Sequence, residues 1–539
     1  MLWWLLGAVV FVLLIACVNV ANLLLAKSLS RQKELAVRTA LGATRKTTFL
    51  QSLAESLVLV AAGGILGIGL GYSLLRGLLA ELPRFTLPWA TDTRLNIPVL
   101  FFTLAVTTLA GLLFGCVPAW YASRVDPNEA LKSGGQAVLG LGRHRLQRML
   151  VIGELAVALT LIAGAGLALH SFANLMRVDM GVKTDHVLTF YLGGPETQSK
   201  DPEKIAAYYR QILSSIRSVP GITSASAQTV MPLFPSRMAP FAIAGESASR
   251  EDTSKWPSAG FGAITPQYFS TLGVRLMRGR IFKEQDTNSS VKVALVNEQF
   301  VHTYLNGADP LRQHILIQNS TDPAATATEW QIVGVYHNVL SGSMRDHRPE
   351  MLIPFWQNPS VSPSIAVRSA EDPELTSKSL AAAVHSVDTR ATMREPRTME
   401  QIRSQVLGSD RFSMILLVSF GTVALLLATL GVYGVMSFSV AHRTSEIALR
   451  MALGADRADL VAWVVSQGIS LAVVGLSLGL AGAYFVGRGM QHSLFGVGQI
   501  DFTVLGIVAL LLLFTVLIAC LIPARRAASA DPMRALRTE

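Results

Sequence analysis

Seven apolar runs, each long enough to cross a lipid bilayer as a helix, set what this chain can fold into. They lie near 2–26, 53–80, 97–121, 149–171, 412–441, 464–487 and 502–522. At about 1.5 Å of rise per residue, each reaches across roughly 30 Å of hydrocarbon. A backbone in that medium must satisfy its own hydrogen bonds, which a helix does. Composition agrees: 51% of the 539 residues are hydrophobic and mean hydropathy is +0.42, too apolar for an ordinary soluble protein. Between the runs, 173–410 is a polar, mixed stretch of soluble-domain size.

The net charge of +10 would suit a nucleic-acid partner, but its distribution points elsewhere. Lys27, Arg31, Lys33, Arg38, Arg45 and Lys46 crowd one short connector. Arg124, Lys132, Arg143, Arg145 and Arg148 crowd another, and Arg525, Arg526, Arg534 and Arg537 lie in the C-terminal tail. The loops 81–96 and 488–501 hold only Arg84, Arg94 and Arg488. The positive-inside rule therefore places 27–52, 122–148, 442–463 and the C-terminus in the cytoplasm, and the N-terminus and 173–410 outside. Cys17, Cys116 and Cys520 all fall inside spans, so the external domain must fold on its core alone. Met1 opens directly onto an apolar run without a basic n-region, which reads as a span rather than a cleaved leader.

The chain repeats itself. Arg31-Gln-Lys-Glu34-Leu-Ala-Val-Arg38-Thr-Ala-Leu-Gly42-Ala43 returns 412 residues later as Arg443-Thr-Ser-Glu446-Ile-Ala-Leu-Arg450-Met-Ala-Leu-Gly454-Ala455. Gly63 and Gly67 recur at the same offset as Gly475 and Gly479. Pro118-Ala-Trp-Tyr-Ala-Ser-Arg124-Val-Asp126-Pro127-Asn-Glu-Ala130-Leu131 recurs at an offset of 405 as Pro523-Ala-Arg-Arg-Ala-Ala-Ser-Ala-Asp531-Pro532-Met-Arg-Ala535-Leu536. The second half reads span, external domain, three spans. The first half has only three spans, so a leading span and a first external domain are expected to be lacking.

Each candidate site has a bland alternative. Glu34 and Arg38, like Glu446 and Arg450, stand at i and i+4 with the acid first, worth a few tenths of a kcal/mol on a helix. One such pair is an ordinary solvated helix face. Two in matching membrane contexts point to docking of a soluble partner, with Gly42 and Gly454 supplying a sharp turn after each helix. Gly63 and Gly67, with Gly64 and Gly71, and Gly475 and Gly479, with Ala483, form small-xxx-small ladders for close helix packing, static or sliding. Asn19, Asn22, Glu55 and Glu154 in or near spans read as interhelical hydrogen bonding or snorkelling rather than a polar pathway.

Leu131-Lys-Ser133-Gly134-Gly135-Gln136 imitates the signature loop of an ATP-binding cassette, but the chain has no G-x-x-x-x-G-K-[ST] phosphate cradle, so ATP is expected on another chain. H-E-x-x-H, paired C-x-x-C and G-x-S-x-G are also missing, and His314 and His337 read as surface or core residues. The chain is expected to carry no catalytic residues, no metal and no cofactor of its own. Within 173–410, strands are expected at Val187–Tyr191, Val291–Val296 and Trp330–Tyr336, and helices at Pro202–Val219 and Ala381–Val387, with Pro354, Pro359 and Pro363 breaking the stretch between. This interleaving predicts an α+β domain.

The duplicated connector and the Pro-Ala-x-x-Ala-[Ser/Ala]-x-x-Asp-Pro-x-x-Ala-Leu signature resemble the ABC transporter permeases of the MacB/FtsX type. So does Thr265-Pro-Gln-Tyr268-Phe269-Ser-Thr-Leu-Gly273-Val-Arg-Leu-Met-Arg-Gly279-Arg280-Ile-Phe282, with Val296-Asn297-Glu298, Asp309-Pro310-Leu311 and Ile332-Val333-Gly334-Val335. Arg312 departs from the glycine the family often has there. The resemblance is to the branch with two fused permease halves, here N-terminally shortened. It implies an α-helical integral membrane protein of about seven transmembrane helices with one α+β periplasmic domain of MacB type. The implied divisions are a first FtsX-like unit at 1–137, a linker and fourth span at 138–172, the periplasmic domain at 173–410 and a second FtsX-like unit at 411–539. The implied location is the bacterial inner membrane. The implied function is the permease subunit of an ABC-type export or mechanotransmission complex. A separate ABC ATPase would dock on the connectors and drive the periplasmic domain, which could meet a periplasmic or outer-membrane partner. Two alternatives keep the same connectors: a non-transporting membrane sensor or scaffold regulating a periplasmic partner, and an inactive fragment of a longer permease.

Overall fold

The computed structural model describes residues 2–30, 44–81, 96–122, 140–193, 201–245, 255–318, 327–342, 345, 347–443, 450–451, 456–498 and 501–528. The chain divides into two units. One comprises Met1–Leu82, Trp89–Met176 and Asp410–Glu539, the other Pro83–Pro88 and Arg177–Ser409.

The first unit is helical. Its described elements are α1 (Leu2–Ser30), α2 (Arg45–Glu81), α3 (Ile97–Ala122), α4 (Gly140–Met176), and, from the end of the chain, α10 (Gly408–His442), α11 (Arg457–Met490) and α12 (Phe502–Ala528). All but α3 contain a segment long and apolar enough to span a membrane, and α3 carries the shorter apolar segment Ile97–Leu113. These are the seven runs of the sequence, extended at their ends by polar turns. The helix α4 is the hub. It packs on α11, α12 and α1, and its Val151, Leu155, Ala158, Leu159 and Ile162 are buried. Two-thirds of its apolar window (67%) is covered by protein, against 6% for α2. The α2 helix packs mainly on α3, where Gly111 lies under Val60 and Gly115 under Ser56.

The second unit mixes strands and helices. In order it contains β1 (Val187–Gly193), α5 (Pro202–Arg217), β2 (Ile222–Gln228), β3 (Arg237–Ile243), β4 (Ser258–Ile264), α6 (Tyr268–Leu272) and β5 (Leu276–Gly279). There follow β6 (Val293–Asn297), α7 (Glu298–Tyr304), β7 (His314–Ile317), β8 (Thr328–Tyr336), β9 (Glu350–Pro354), β10 (Ser364–Ser369), α8 (Pro373–Val387), β11 (Thr392–Thr398) and α9 (Met399–Val406). The strand order is β11-β1-β10-β2-β4-β3-β7-β8-β6-β9, with β5 on β8. Because β9 also pairs in parallel with β4, the strands β4, β3, β7, β8, β6 and β9 close into a ring. Phe241, Ile315, Ile332, Val296 and Ile353, one from each of five ring strands, are fully or almost fully buried in its core.

Local chemistry sets the element ends. The helix α5 starts where the Asp201 side chain accepts from the Glu203 amide with Pro202 in the first turn, and buries Ile205, Tyr209, Ile212 and Ile216 on one stripe. It ends at Arg217 because Ser218 caps it, two residues short of the expected end. The helix α8 begins at Pro373, eight residues before the expected start, because Asp372 caps it from outside the apolar pattern. The strands β2 and β4, rich in Ser, Ala and Gly, carry no alternation of large apolar residues and were not anticipated.

Candidate functional site

Of the expected connector residues, Glu34, Arg38, Gly42, Glu446 and Gly454 lie outside the described residues, as do Leu131–Gln136 and the Asp126-Pro127 and Asp531-Pro532 tails. Arg450 is described. Its guanidinium stacks over the Trp463 ring at 4.9 Å from the centroid, and that of Arg443 lies 5.3 Å from the same centroid. These two arginines are the first residue of the repeated motif and its eighth, so one indole holds both. Aromatic faces attract guanidinium groups by about 0.5–1 kcal/mol at exposed sites. Sequence reasoning passed over Trp463, which sits nearly two turns inside α11 and outside the repeat motif. At the offset of 412, the first half has Gln51 in its place.

Beside this clamp is a cleft of about 240 Å³ between α4, α10 and α11. Gln147, Arg148, Ser439, Arg443, Ser466 and Gln467 are among its lining residues. Basic and hydrogen-bonding groups at the mouth of a helix bundle suit a polar or acidic surface element of a partner.

The two glycine pairs have different surroundings. A Cβ on Gly475 would meet Leu155 Cβ at 2.7 Å, and one on Gly479 would meet Leu159 Cβ at 2.7 Å and the Ala156 carbonyl at 2.9 Å. A Cβ on Gly63 or Gly67 would meet nothing within 4 Å outside its own helix turn among the described residues. The helix that covers Gly475 and Gly479 is α4, and the described residues place no such helix on Gly63 and Gly67.

The polar groups expected inside the spans are partly brought together. Asn19 Nδ2 donates to Glu154 Oε1 at 2.6 Å and to the Leu427 carbonyl at 2.9 Å, tying α1, α4 and α10 together. Gly431 permits this, because any side chain there would strike Glu154 Oε2. Asn22 is buried but is not in this contact. At the other end of the bundle, His170 of α4 pairs with Asp501 at the start of α12, and Ser171 and Asn174 hold the loop between α11 and α12.

In the second unit the motif residues are structural. Gly279 (φ +79°) lies against the Val333 carbonyl, and Gly334 against the Arg278 and Arg280 carbonyls, so β5 and β8 approach as closely as only glycine allows. Arg280 pairs with Asp286 at 2.9 Å. Asn297 Oδ1 accepts from the Phe300 and Glu350 amides, and Asp309 caps a short 3-10 turn. His337 Nδ1 lies 2.7 Å from Glu298, and His314 Nδ1 lies 3.0 Å from Glu329. Glu350 is a fully buried carboxyl that accepts from the Tyr336 hydroxyl at 2.9 Å. Burial pushes its pKa from 4.5 up to about 7, with the Tyr336 and Ser236 hydrogen bonds opposing. Among the described residues no group of three or more His, Cys, Asp or Glu side chains is placed to hold a metal ion.

Comparison with known proteins gives two family matches. The FtsX-like permease C-terminal profile matches residues 6–127 and 418–532. The MacB-like periplasmic core domain profile matches residues 150–406. The macrolide export ATP-binding/permease protein MacB 2 of Aeromonas hydrophila is 24% identical over 74% of this chain and 59% of its own length. The pyoverdine export ATP-binding/permease protein PvdT of Pseudomonas entomophila is 24% identical over 78% of this chain and 61% of its own. The ABC transporter permease YknZ of Bacillus subtilis is 23% identical over 65% of this chain and 84% of its own. The chain thus spans about three-fifths of the length of the first two relatives.

Proposed function

The chain belongs to the ABC transporter permeases of the MacB/FtsX type, and from that premise we propose that it is the membrane subunit of an export complex powered by a separate ABC ATPase. The ATPase docks on the two connectors, around Glu34, Arg38 and Gly42 and around Glu446, Arg450 and Gly454. Its closure on ATP moves the helices, and the helices move the MacB-like domain outside the membrane. On this reading the basic ends of the helices face the cytoplasm, the C-terminus included, and ATP is bound by the partner alone.

The observation that carries this reading is the Arg443–Trp463–Arg450 clamp. A connector that transmits force needs both ends fixed to a rigid helix, and one indole on α11 supplies that. The hub position of α4 supports the rest. This helix leads into the MacB-like domain and packs on α11, so a push at the clamp acts on a helix in direct contact with the one entering the external domain.

The test is a pull-down of the tagged, detergent-solubilised chain followed by an ATPase assay of what copurifies. A bound ABC ATPase with vanadate-sensitive turnover is expected. A chain that purifies alone, together with an Arg450→Ala variant that behaves identically in cells, overturns the docking assignment.

A further inference from the structure

The cleft between α4, α10 and α11 has a lining that the repeat does not require. Arg148 of α4 and Arg443, just past the end of α10, bring two guanidinium groups to its wall, and Gln147, Ser439, Gln467 and Ser470 add hydrogen-bonding groups. Among the described residues that line it there is no Asp or Glu. At the offset of 412, the positions of Ser466, Gln467 and Ser470 hold Ala54, Glu55 and Val58. The helix α2 forms with those residues, so the shared helix pattern does not demand the polar, acid-free set on α11. The depth of the cleft bears on what it holds. Arg148 stands just before the apolar run 149–171 and Arg443 just after the run 412–441, so both lie where hydrocarbon ends. Ser466, Gln467 and Ser470 fall in the first two turns of the run 464–487, which carries the cleft roughly 10 Å inward at about 1.5 Å per residue. Val435 and Met436, about one turn further in than Ser439, and Leu471 make its apolar wall. A charged mouth, a polar throat and an apolar wall follow the order of phosphate, glycerol and acyl chain in a lipid.

We propose that this cleft binds the phosphodiester headgroup of an anionic phospholipid, with the phosphate at Arg148 and Arg443 and the acyl chains leaving past Val435, Met436 and Leu471. Guanidinium groups bind phosphate oxygens through charge-assisted hydrogen bonds, and basic pockets between spans suit anionic headgroups. A soluble phosphate gains the same charge contacts but nothing from the apolar wall. An acidic side chain of a partner protein is the other chemistry suited to this mouth. It would have to reach roughly 10 Å into a depth that lipid already fills. The inference needs only that the basic helix ends meet a membrane surface, so it stands apart from ATPase docking. On the orientation proposed above, that surface is the cytoplasmic leaflet, whose anionic lipids give it a negative potential. Bound there, the headgroup ties α4 to α10 and α11 beside the Trp463 clamp and makes the packing of these helices depend on membrane composition.

The test is native mass spectrometry of the delipidated full chain in detergent, titrated with phosphatidylglycerol or with phosphatidylcholine as the zwitterionic reference. A phosphatidylglycerol molecule held in preference to phosphatidylcholine is expected. Arg148→Gln should weaken it roughly fivefold, the effect of removing one basic side chain at an anionic surface. Ser470→Leu, which fills the cleft and leaves every charge in place, should abolish the preference. Arg525→Gln, at an exposed arginine of α12 outside the cleft, should leave it intact. Size-exclusion elution and melting temperature establish that each variant is folded. No preference for phosphatidylglycerol overturns the proposal. So does a preference indifferent to Ser470→Leu, or one lost equally with Arg525→Gln, because binding is then a general attraction to basic helix ends. Displacement of the lipid by excess inorganic phosphate gives the site to a soluble anion, and displacement by a polyglutamate peptide gives it to an acidic protein segment. Either of these also overturns it.

Discussion

The helices α2 and α11 carry the same glycine ladder and meet opposite fates. On α11 the ladder is a buried seam under α4, and on α2 it is the floor of an open groove. The connectors differ in the same direction. The one leading to α11 is held by Trp463, while Gln51 occupies that place near the start of α2. Two copies of one sequence pattern thus give one tightly packed set of helices and one that offers surfaces. A glycine ladder licenses close packing, and only a helix on top of it turns the licence into stability.

The largest expected effect breaks this contrast directly. Gly479→Leu should destabilise the membrane unit by about 3 kcal/mol, because Leu159 and the Ala156 carbonyl leave no room. Gly67→Leu should cost nothing and can gain up to about 1 kcal/mol through helix propensity. Thermal unfolding of both variants in one detergent checks it, and equal losses would erase the distinction.

A second expectation isolates the MacB-like domain from both halves. Glu350 has a pKa raised from 4.5 to about 7, so its native state holds a proton that the unfolded chain releases. Its contribution is neutral below pH 4.5 and becomes destabilising as pH rises to about 7, by about 3 kcal/mol in all. Glu350→Gln should flatten that slope in unfolding monitored by tryptophan fluorescence from pH 4 to 8. An unchanged slope would assign the pH dependence elsewhere.

Smaller effects sharpen the connector comparison. Trp463→Ala should free the second connector by about 1 kcal/mol, read as roughly fivefold faster limited proteolysis between Arg443 and Arg450. Gln51→Ala should change the first connector less. The smallest effect is a change of sign. Gly67→Ala should stabilise by up to about 1 kcal/mol through helix propensity, whereas Gly479→Ala should destabilise. Stabilisation by both would show that α4 does not press on Gly479.

Much of this was legible in the chain. The apolar runs predict the seven helices because length and hydropathy are local properties. The strands β1, β6 and β8 are legible from their large apolar residues. The strands β2 and β4 are not, because Ile222–Gln228 and Ser258–Ile264 lie where small side chains pack against neighbouring strands. Asn297 stands out as a motif residue, yet its role in joining α7 to β9 appears only once Glu350, 53 residues away, is in place.

The sequence by itself determined the seven apolar helices, the repeat, the mixed domain between them and the family to which these belong. The tertiary structure decided which glycines are covered, that Trp463 binds two connector arginines, and that Asn19 meets Glu154 from 135 residues away. Helix formation depends on residues a few positions apart, so a local pattern carries it. The covering of Gly479 depends on Leu159, some 320 residues earlier in the chain, and no local period records that meeting.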